Sequence, residues 1–320
     1  MTVLLIGDGD IYEMKSLKRA VEDQGKHVHL CDVTEWPDGP PLTVDPSDSE
    51  TMLGAAFDYT DVSAVYVHFY ELFSPFSRRF RSQLDENFVS TFFQLREYRG
   101  LFKGLFRIVE NHGAEIVPAL EVRSWHDRKP WQIHLFESLD VPTPDTLFTT
   151  DSDEVQQFCA KHREVIYKSI TNGGLPTRLT EDDLEAEKLD KLSTAPVQFQ
   201  EFVEGEDLRI YVLDGEVIGA VRYESKNYSF KIDLYEGDEQ QLQYHRADVG
   251  EDIADDVVRA TEAAGLVFAA ADIRRRPDGS YALLELNNMP RFAVADTKAN
   301  YNISDKLAEY LVEAGQPRYP

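Results

Sequence analysis

The sequence predicts an α/β fold that becomes α+β in its C-terminal part. Three observations carry this reading. A strand, helix, strand pattern opens the chain, a second alternation of helix and strand begins near Ser124, and after Pro196 strand candidates dominate, joined by compact turns.

Val3-Leu4-Leu5-Ile6 reads as a short buried strand, closed by Gly7-Asp8-Gly9. A helix from about Glu13 to Gln24 follows, with Leu17, Ala20 and Val21 on one face and Gly25 as its stop. Val28 to Val33 and Val62 to Phe69 supply two more strands, and this order makes a βαβ unit with a parallel sheet. A G-x-G without a third glycine reads first as a βα turn and only second as a nucleotide loop. The Pro, Asp and Ser-rich stretch from Pro37 to Ser49 predicts a surface loop. Ser77 to His112 predicts a helix, with Arg78, Arg79 and Arg81 near its start, either as a solvated face or facing an anionic substrate. Ile116-Val117 restores a strand before Pro118.

The second module runs from Ser124-Trp125-His126-Asp127-Arg128-Lys129 through a helix ending near Leu139. Val141-Pro142-Thr143-Pro144-Asp145-Thr146, a helix near Asp153 to His162 and a strand at Val165-Ile166-Tyr167-Lys168 come next. Beyond Pro196, Val197 to Val203, Leu208 to Leu213 and Val217 to Arg222 are strands of a third, mostly β module, with Asp214-Gly215 as a hairpin turn. A helix near Ile253 to Ala264, strands at Phe268 to Arg275 and Tyr281 to Leu286 around Pro277-Asp278-Gly279, and a helix from Ser304 to Glu313 complete the chain.

Composition narrows the function classes. The 320 residues hold 58 Asp and Glu against 33 Lys and Arg, a formal charge of −25, while 42% are hydrophobic. That apolar content suits a folded core, and the charge argues against nucleic acid and anionic membranes as partners. The basic residues are 20 Arg and only 13 Lys. Many carboxylates with few lysines suit a high-salt cytoplasm, where screening over ~3 Å at molar salt removes most self-repulsion. An ordinary acidic cytoplasmic enzyme is the plainer alternative. Cys31 and Cys159 lie far apart with no paired spacing, so neither a disulfide framework nor a zinc knuckle is expected. No signal peptide or membrane-spanning run is expected.

Three groups of residues carry chemistry. Asp272 lies on one strand of the last hairpin, while Glu285 and Asn287 lie two apart on the other and share a face. Three converging oxygen donors suit Mg²⁺, with solvated acidic alternation as the competing reading. Lys168 ends an apolar strand ahead of Ser169-Ile170-Thr171-Asn172-Gly173-Gly174, and Lys129 opens a helix. Both suit phosphate oxygens, although a lone lysine is more often simply solvated. Gln200-Glu201-Phe202-Val203 then runs from a strand into a charged linker with Asp207, Arg209 and, farther on, Arg222. A strand end of this kind can pair with an adenine edge, an acidic residue can accept ribose hydroxyls, and the arginines can face phosphates. An edge strand with a charged turn is the alternative.

In this order the motifs resemble the ATP-grasp ligases, in the RimK-type and glutathione-synthase-like branch. The resemblance covers essentially the whole chain. It rests on Asp127 to Lys129, Pro142 to Thr146, Lys168, the stretch Gln200 to Arg209, Arg222, Asp272, and Glu285 to Pro290. It implies an N-terminal Rossmann-like pre-ATP-grasp domain over 1–120, an ATP-grasp N-terminal subdomain over 121–195 and a C-terminal subdomain over 196–320. It further implies that Lys129 and Lys168 contact nucleotide phosphates, that Gln200, Glu201, Phe202 and Val203 form the adenine hinge, and that Asp207 accepts the ribose. Asp272, Glu285 and Asn287 would hold Mg²⁺ or Mn²⁺, and Arg222 with Arg209 would stabilise an acyl phosphate. The implied activity is ATP-dependent ligation of a carboxylate to an amine, on an amino acid or peptide, in the cytoplasm, by a homodimer or homotetramer. The segment Lys168 to Leu184 is poorer in glycine and serine than is usual and looks more like the graspetide-cyclising ligases. Side-chain cyclisation of a peptide is therefore the alternative ligase reading, and a nucleotide-binding regulatory module without ligation is the alternative of another class.

Overall fold

The computed structural model describes residues 1–34, 39, 41–69, 73–75, 77, 80–171, 174–235 and 242–314. The chain forms two compact units, one of Met1–Glu121, Arg291–Ala293 and Asn302–Pro320, the other of Val122–Pro290 and Val294–Tyr301.

In the first unit, β1 (Thr2–Gly7) is buried along its whole length, which explains an apolar run in place of alternation. Helix α1 (Tyr12–Asp23) follows and buries Met14, Leu17, Ala20 and Val21. Strand β2 (His27–Asp32) pairs with β1 in parallel register. Between β2 and the next parallel strand, β3 (Leu42–Val44), β4 (Glu50–Leu53) and β5 (Ala55–Asp58) form a small antiparallel sheet. Of the loop expected over Pro37 to Ser49, Leu42–Val44 is instead a strand, Asp45 to Ser49 is a loop as expected, and residues 37, 38 and 40 lie outside the described residues. A three-residue strand is too short to show alternation, and Leu42 to Val44 is extended only through its pairing with β4.

Strand β6 (Val62–His68) returns to the parallel sheet beside β1. The long helix expected over Ser77 to His112 is two helices, α2 (Arg81–Glu86) and α3 (Phe88–Asn111). Asn87 breaks them at φ −148 and caps α3 by accepting the Ser90 N–H. Arg78 and Arg79 lie outside the described residues, and Arg81 is paired with Asp85 at 3.0 Å. Strand β7 (Glu115–Val117) completes the sheet in the order β2-β1-β6-β7. The closing helix Ile303–Ala314 belongs to this unit and packs on α1 and β6.

The second unit holds two sheets. After α4 (Lys129–Ser138), the first sheet is built from β8 (Thr146–Thr149), β9 (Val165–Lys168), β10 (Thr177–Arg178) and β11 (Val197–Glu201), with α5 (Ser152–Lys161) and α6 (Ala186–Leu189) in the connections. β11 pairs antiparallel with both β8 and β9. The strand expected at Val197 to Val203 therefore belongs with the preceding module and stops at Glu201. One face, with Val165 and Phe199, forms a small core with Val155 and Leu192. The other face carries Lys168, Gln198 and Gln200, because cross-strand partners share a face.

The second sheet comprises β12 (Glu206–Leu213), β13 (Glu216–Glu224), β14 (Gln243–Arg246), β15 (Phe268–Arg275) and β16 (Tyr281–Asn287), in the order β14-β13-β12-β15-β16. Helix α7 (Phe230–Tyr235) lies between β13 and β14, and α8 (Glu251–Ala263) precedes β15. Asp214 and Gly215 turn β12 into β13 with φ 48 and 78, the paired left-handed geometry that an Asp-Gly hairpin takes.

Candidate functional site

The site is built on the β15/β16 hairpin. Its register places Asp272 directly opposite Glu285, with an irregularity just after Asp272. Asn287 lies two residues along and donates its amide to Asp272 Oδ2 at 3.2 Å. Asp272, Glu285 and Asn287 are all buried. Buried carboxylates need charged partners, and the neighbouring elements supply them.

Arg209 on β12 is the cross-strand partner of Asp272 and grips it with both arms, Nε to Oδ1 at 2.7 Å and Nη2 to Oδ2 at 2.9 Å. Lys231 on α7 reaches between the two carboxylates, 2.5 Å from Glu285 Oε1 and 3.0 Å from Asp272 Oδ2. Lys168, at the end of β9, stands 3.9 Å from Glu285 Oε2. Lys129 opens α4, is buried, and donates to the Ser169 carbonyl at 3.2 Å. Its segment is locked to β16: Trp125 Nε1 donates to the Leu286 carbonyl, and Gln132 accepts the Leu286 N–H. The Pro142 to Thr146 step docks on the same strand through Leu283 N–H to the Pro142 carbonyl at 2.7 Å.

The electrostatics follow from this arrangement. Burial favours the neutral form of Glu285, but Lys231, Lys168 and Lys129 outweigh it and hold the carboxyl well below its usual range. Asp272 is likewise lowered against burial by Arg209 and Lys231. Lys231 is raised, since the two carboxylates overcome its desolvation. Lys168 is pushed down to about 8 by burial, which the more distant Glu285 only partly offsets. His126 is held neutral by burial, with its pKa lowered to about 4.

Three oxygen donors on one hairpin, with an ammonium seated between two of them, form a cation site of the hard-oxygen class. Asp272 and Glu285 share one cation, the Lys231 ammonium, and with Asn287 they offer the oxygen donors that Mg²⁺ takes, so the donor set fits Mg²⁺. The surrounding Lys129, Lys168 and Arg209 give the cleft an excess of positive charge, which suits a polyphosphate.

Arg222 does not join this group. It pairs with Leu208 across β12/β13, one position out of step with Arg209 opposite Val221, so its side chain lies on the other face of the sheet. There it meets Glu206 and Glu224, each at 3.6 Å. Asp207 does share the Arg209 face, but its Oδ2 already takes Arg274 Nη1 at 2.8 Å and the Phe230 N–H at 3.1 Å. The sequence reading also passed over Lys231 and His126. Lysine scarcity is the one signal that pointed to Lys231, since its short helix has no readable period.

The hinge is tied down by its neighbours. Gln200 Nε2 donates to Thr146 Oγ1 at 2.9 Å, Glu201 N–H to the Asp145 carbonyl and Phe202 N–H to the Glu164 carbonyl. Val203 accepts from Arg274 Nε at 3.0 Å. The Arg178 guanidinium lies 4.6 Å from the Phe202 ring and 4.7 Å from Tyr228. A cavity of about 510 Å³ opens at the hinge, lined by His162, Glu164, Glu201, Phe202, Val203 and Arg276 among others. Asp145, His162 and Glu201 also converge there, but Glu201 already pairs with Arg276 at 3.4 Å.

The model of the RimK-like ATP-grasp domain matches residues 127–311. A probable alpha-L-glutamate ligase of Legionella pneumophila is 28% identical over 126 residues, which is 38% of this chain and 40% of that protein. The match thus spans well under half the length of that relative. The ATP-grasp ligase PsnB, solved with a phosphomimetic variant of its minimal precursor, Mg and ADP, is 26% identical with a TM-score of 0.85, covering 98% of both chains. The macrocyclase MdnC of Microcystis aeruginosa, solved with its precursor peptide MdnA, shares the fold at 21% identity and a TM-score of 0.78, over 98% of this chain and 99% of that one. With its family domain matched over more than half its length, a span that includes Lys129, Lys168, Asp272, Glu285 and Asn287, the chain belongs to the RimK-like ATP-grasp family.

Proposed function

We propose that this chain is an ATP- and Mg²⁺-dependent ligase that activates a carboxylate as an acyl phosphate and releases ADP and phosphate. The observation that carries this reading is the convergence of the buried Asp272, Glu285, Asn287 and Lys129 with the half-buried Lys168 and Lys231. Asp272, Glu285 and Asn287 would hold Mg²⁺, or Mn²⁺ in its place. Once bound, the ion neutralises charge on the phosphoryl oxygens.

The chain's own residues do the rest by position and charge. Gln200, Glu201, Phe202 and Val203 hold the base edge, and Asp207 lies on the face that meets the ribose. Lys129 and Lys168 bind phosphate oxygens. Arg209 fixes Asp272 in place, so it acts on the metal ligand and not on the phosphoryl group. Asp272 and Glu285, which Lys231 pairs with, would be the groups that hold the ion, and the Lys231 ammonium beside them would supply positive charge to the phosphoryl group in transfer, the role expected of Arg222. The substrate carboxylate attacks the γ-phosphoryl group, the bond to ADP breaks, and the second substrate's nucleophile then displaces phosphate.

Two substrate classes share this chemistry. Ligation of an amino acid is supported by the likeness to glutamate ligases, over a limited stretch. Side-chain cyclisation of a peptide is supported by the full-length likeness to PsnB, which was solved with its precursor. We assign the chain to a salt-rich cytoplasm, as a homodimer or homotetramer. Among the described residues no helix is long and apolar enough to cross a membrane.

The test is ADP release in molar KCl with Mg-ATP against amino acids, dipeptides and acidic peptides. Turnover that needs a substrate and is lost in Glu285→Ala supports the ligase. Tight nucleotide binding with no turnover across the panel would favour a regulatory binding module, and failure to bind Mg-ADP would remove the reading altogether.

A further inference from the structure

Gln198 is only 1% exposed, yet its Oε1 has no hydrogen-bond partner among the described residues. A buried amide oxygen without a donor is a substantial cost, and folded proteins rarely carry one without use. Its surroundings give the direction. Gln198 is the cross-strand partner of Lys168, and Gln200 follows on the same face of β11. Gln200 donates its Nε2 to Thr146 Oγ1, and Lys168 faces Glu285. In this row Gln198 carries a buried acceptor that no donor meets among the described residues. Three residues farther on, the strand ends at Glu201 and runs into the hinge.

We propose that Gln198 selects the nucleotide base, its amide reading the 6-amino and N7 edge of adenine. This rests on the nucleotide site proposed above. A carboxamide offers one acceptor and one donor side by side. Adenine offers the complementary pair, a 6-amino donor beside the N7 acceptor, whereas guanine offers two acceptors, O6 and N7. With guanine the Gln198 oxygen would stay buried and unpaired, and selectivity comes from that penalty. The resulting preference for adenine is about 5- to 150-fold, the range that one good bidentate base contact gives.

The same observation predicts an unusual pairing of effects. Gln198→Met removes an unsatisfied buried amide and keeps the volume, so the ligand-free protein should melt at the same temperature or higher. Binding of Mg-ADP, measured by calorimetry, should weaken at least about fivefold while Mg-GDP is unchanged, which collapses the base preference. The 7-deaza analogue of ADP, which lacks the N7 acceptor, should bind the wild type more weakly than ADP and bind Gln198→Met no differently from ADP. Gln198→Asn, one methylene shorter, reports whether reach matters and should fall between the two.

An unchanged ADP-to-GDP ratio and an unchanged response to 7-deaza-ADP in Gln198→Met would overturn the proposal. So would an equal loss of both nucleotides, which would mark Gln198 as merely structural. If the wild type binds no Mg-ADP at all, the nucleotide site itself fails, an outcome distinct from loss of base selection alone.

Discussion

Lys231 and Arg222 are both cations within reach of acidic groups, and they differ in what burial does to them. Lys231 sits between two buried carboxylates, whereas Arg222 pairs with two partly exposed glutamates on the opposite face of the sheet. Exposed pairs contribute little, so Arg222→Ala should leave ADP release unchanged and cost at most about 1 kcal/mol in urea denaturation. Lys231→Met should lower kcat about 100-fold, the scale of losing one preorganised charge at a phosphoryl group. Equal effects from the two substitutions would overturn the assignment. Arg209→Lys is not a mild change, since a point ammonium cannot hold both oxygens of Asp272 at once. It should weaken Mn²⁺ binding, followed by electron paramagnetic resonance of the nucleotide-bound protein, more than it weakens ADP binding without metal.

Between β11 and β12 the chain must turn tightly beside β15, and Gly205 makes this possible. Its φ is +145, and a Cβ there would lie 2.1 Å from the Arg275 carbonyl oxygen. Backbone cannot yield as a side-chain tip can, so Gly205→Ala should destabilise by about 2 kcal/mol or more, read as a lower urea midpoint with the slope unchanged. In the first unit, His29 on β2 is buried and bonds the Leu53 carbonyl on β4 at 2.8 Å. Burial lowers its pKa from the ordinary 6.5, despite the opposing pull of that bond. In the window just below 6.5 the unfolded chain therefore binds the proton that the folded chain resists, and stability rises with pH. The advantage of wild type over His29→Gln should be full above pH 7 and shrink on acidification. A melting-temperature gap that is flat from pH 7.5 to about 5 would contradict this.

For the molecule as a whole, the formal charge of −25 sets a self-repulsion that salt screens. The melting temperature should climb between about 0.1 and about 2 M KCl, because the Debye length falls from roughly 10 Å to a few ångströms. No rise would mean that the surface carboxylates are already balanced locally. Lys129 is buried and Lys168, Lys231 and Arg209 are half-buried around the buried Asp272 and Glu285, so they should be less screened, and ADP affinity at saturating Mg²⁺ should change less with salt than stability does. The folding of Met1–Glu121 with Asn302–Pro320 also makes the closing helix part of the first unit's core, with Ile303, Leu307 and Leu311 buried. Truncation before Ile303 should therefore cost the parallel sheet its stability.

Much of this was legible in residues alone. The continuous apolar run of β1, the two-residue spacing of Glu285 and Asn287, and the Asp214-Gly215 and Pro277-Asp278-Gly279 turns are local patterns set by strand period and turn chemistry, which need no long-range partner. They determined the α/β class and placed Asp272, Glu285 and Asn287 on one hairpin. What depends on register and pairing did not show. A shift of one residue decides which face a side chain takes, and that put Arg222 and Arg209 on opposite faces, with only Arg209 beside Asp272. Leu42 to Val44 became a strand only by meeting β4, and β11 joined the earlier sheet only by meeting β8 and β9. Lys231 reaches Glu285 across 54 residues, on a helix of one and a half turns whose own sequence carries no sign of its destination. The sequence by itself determined the kinds of element and the donor types available. Only the tertiary structure decided which charges meet, because a buried charge settles where a partner from another strand repays its desolvation.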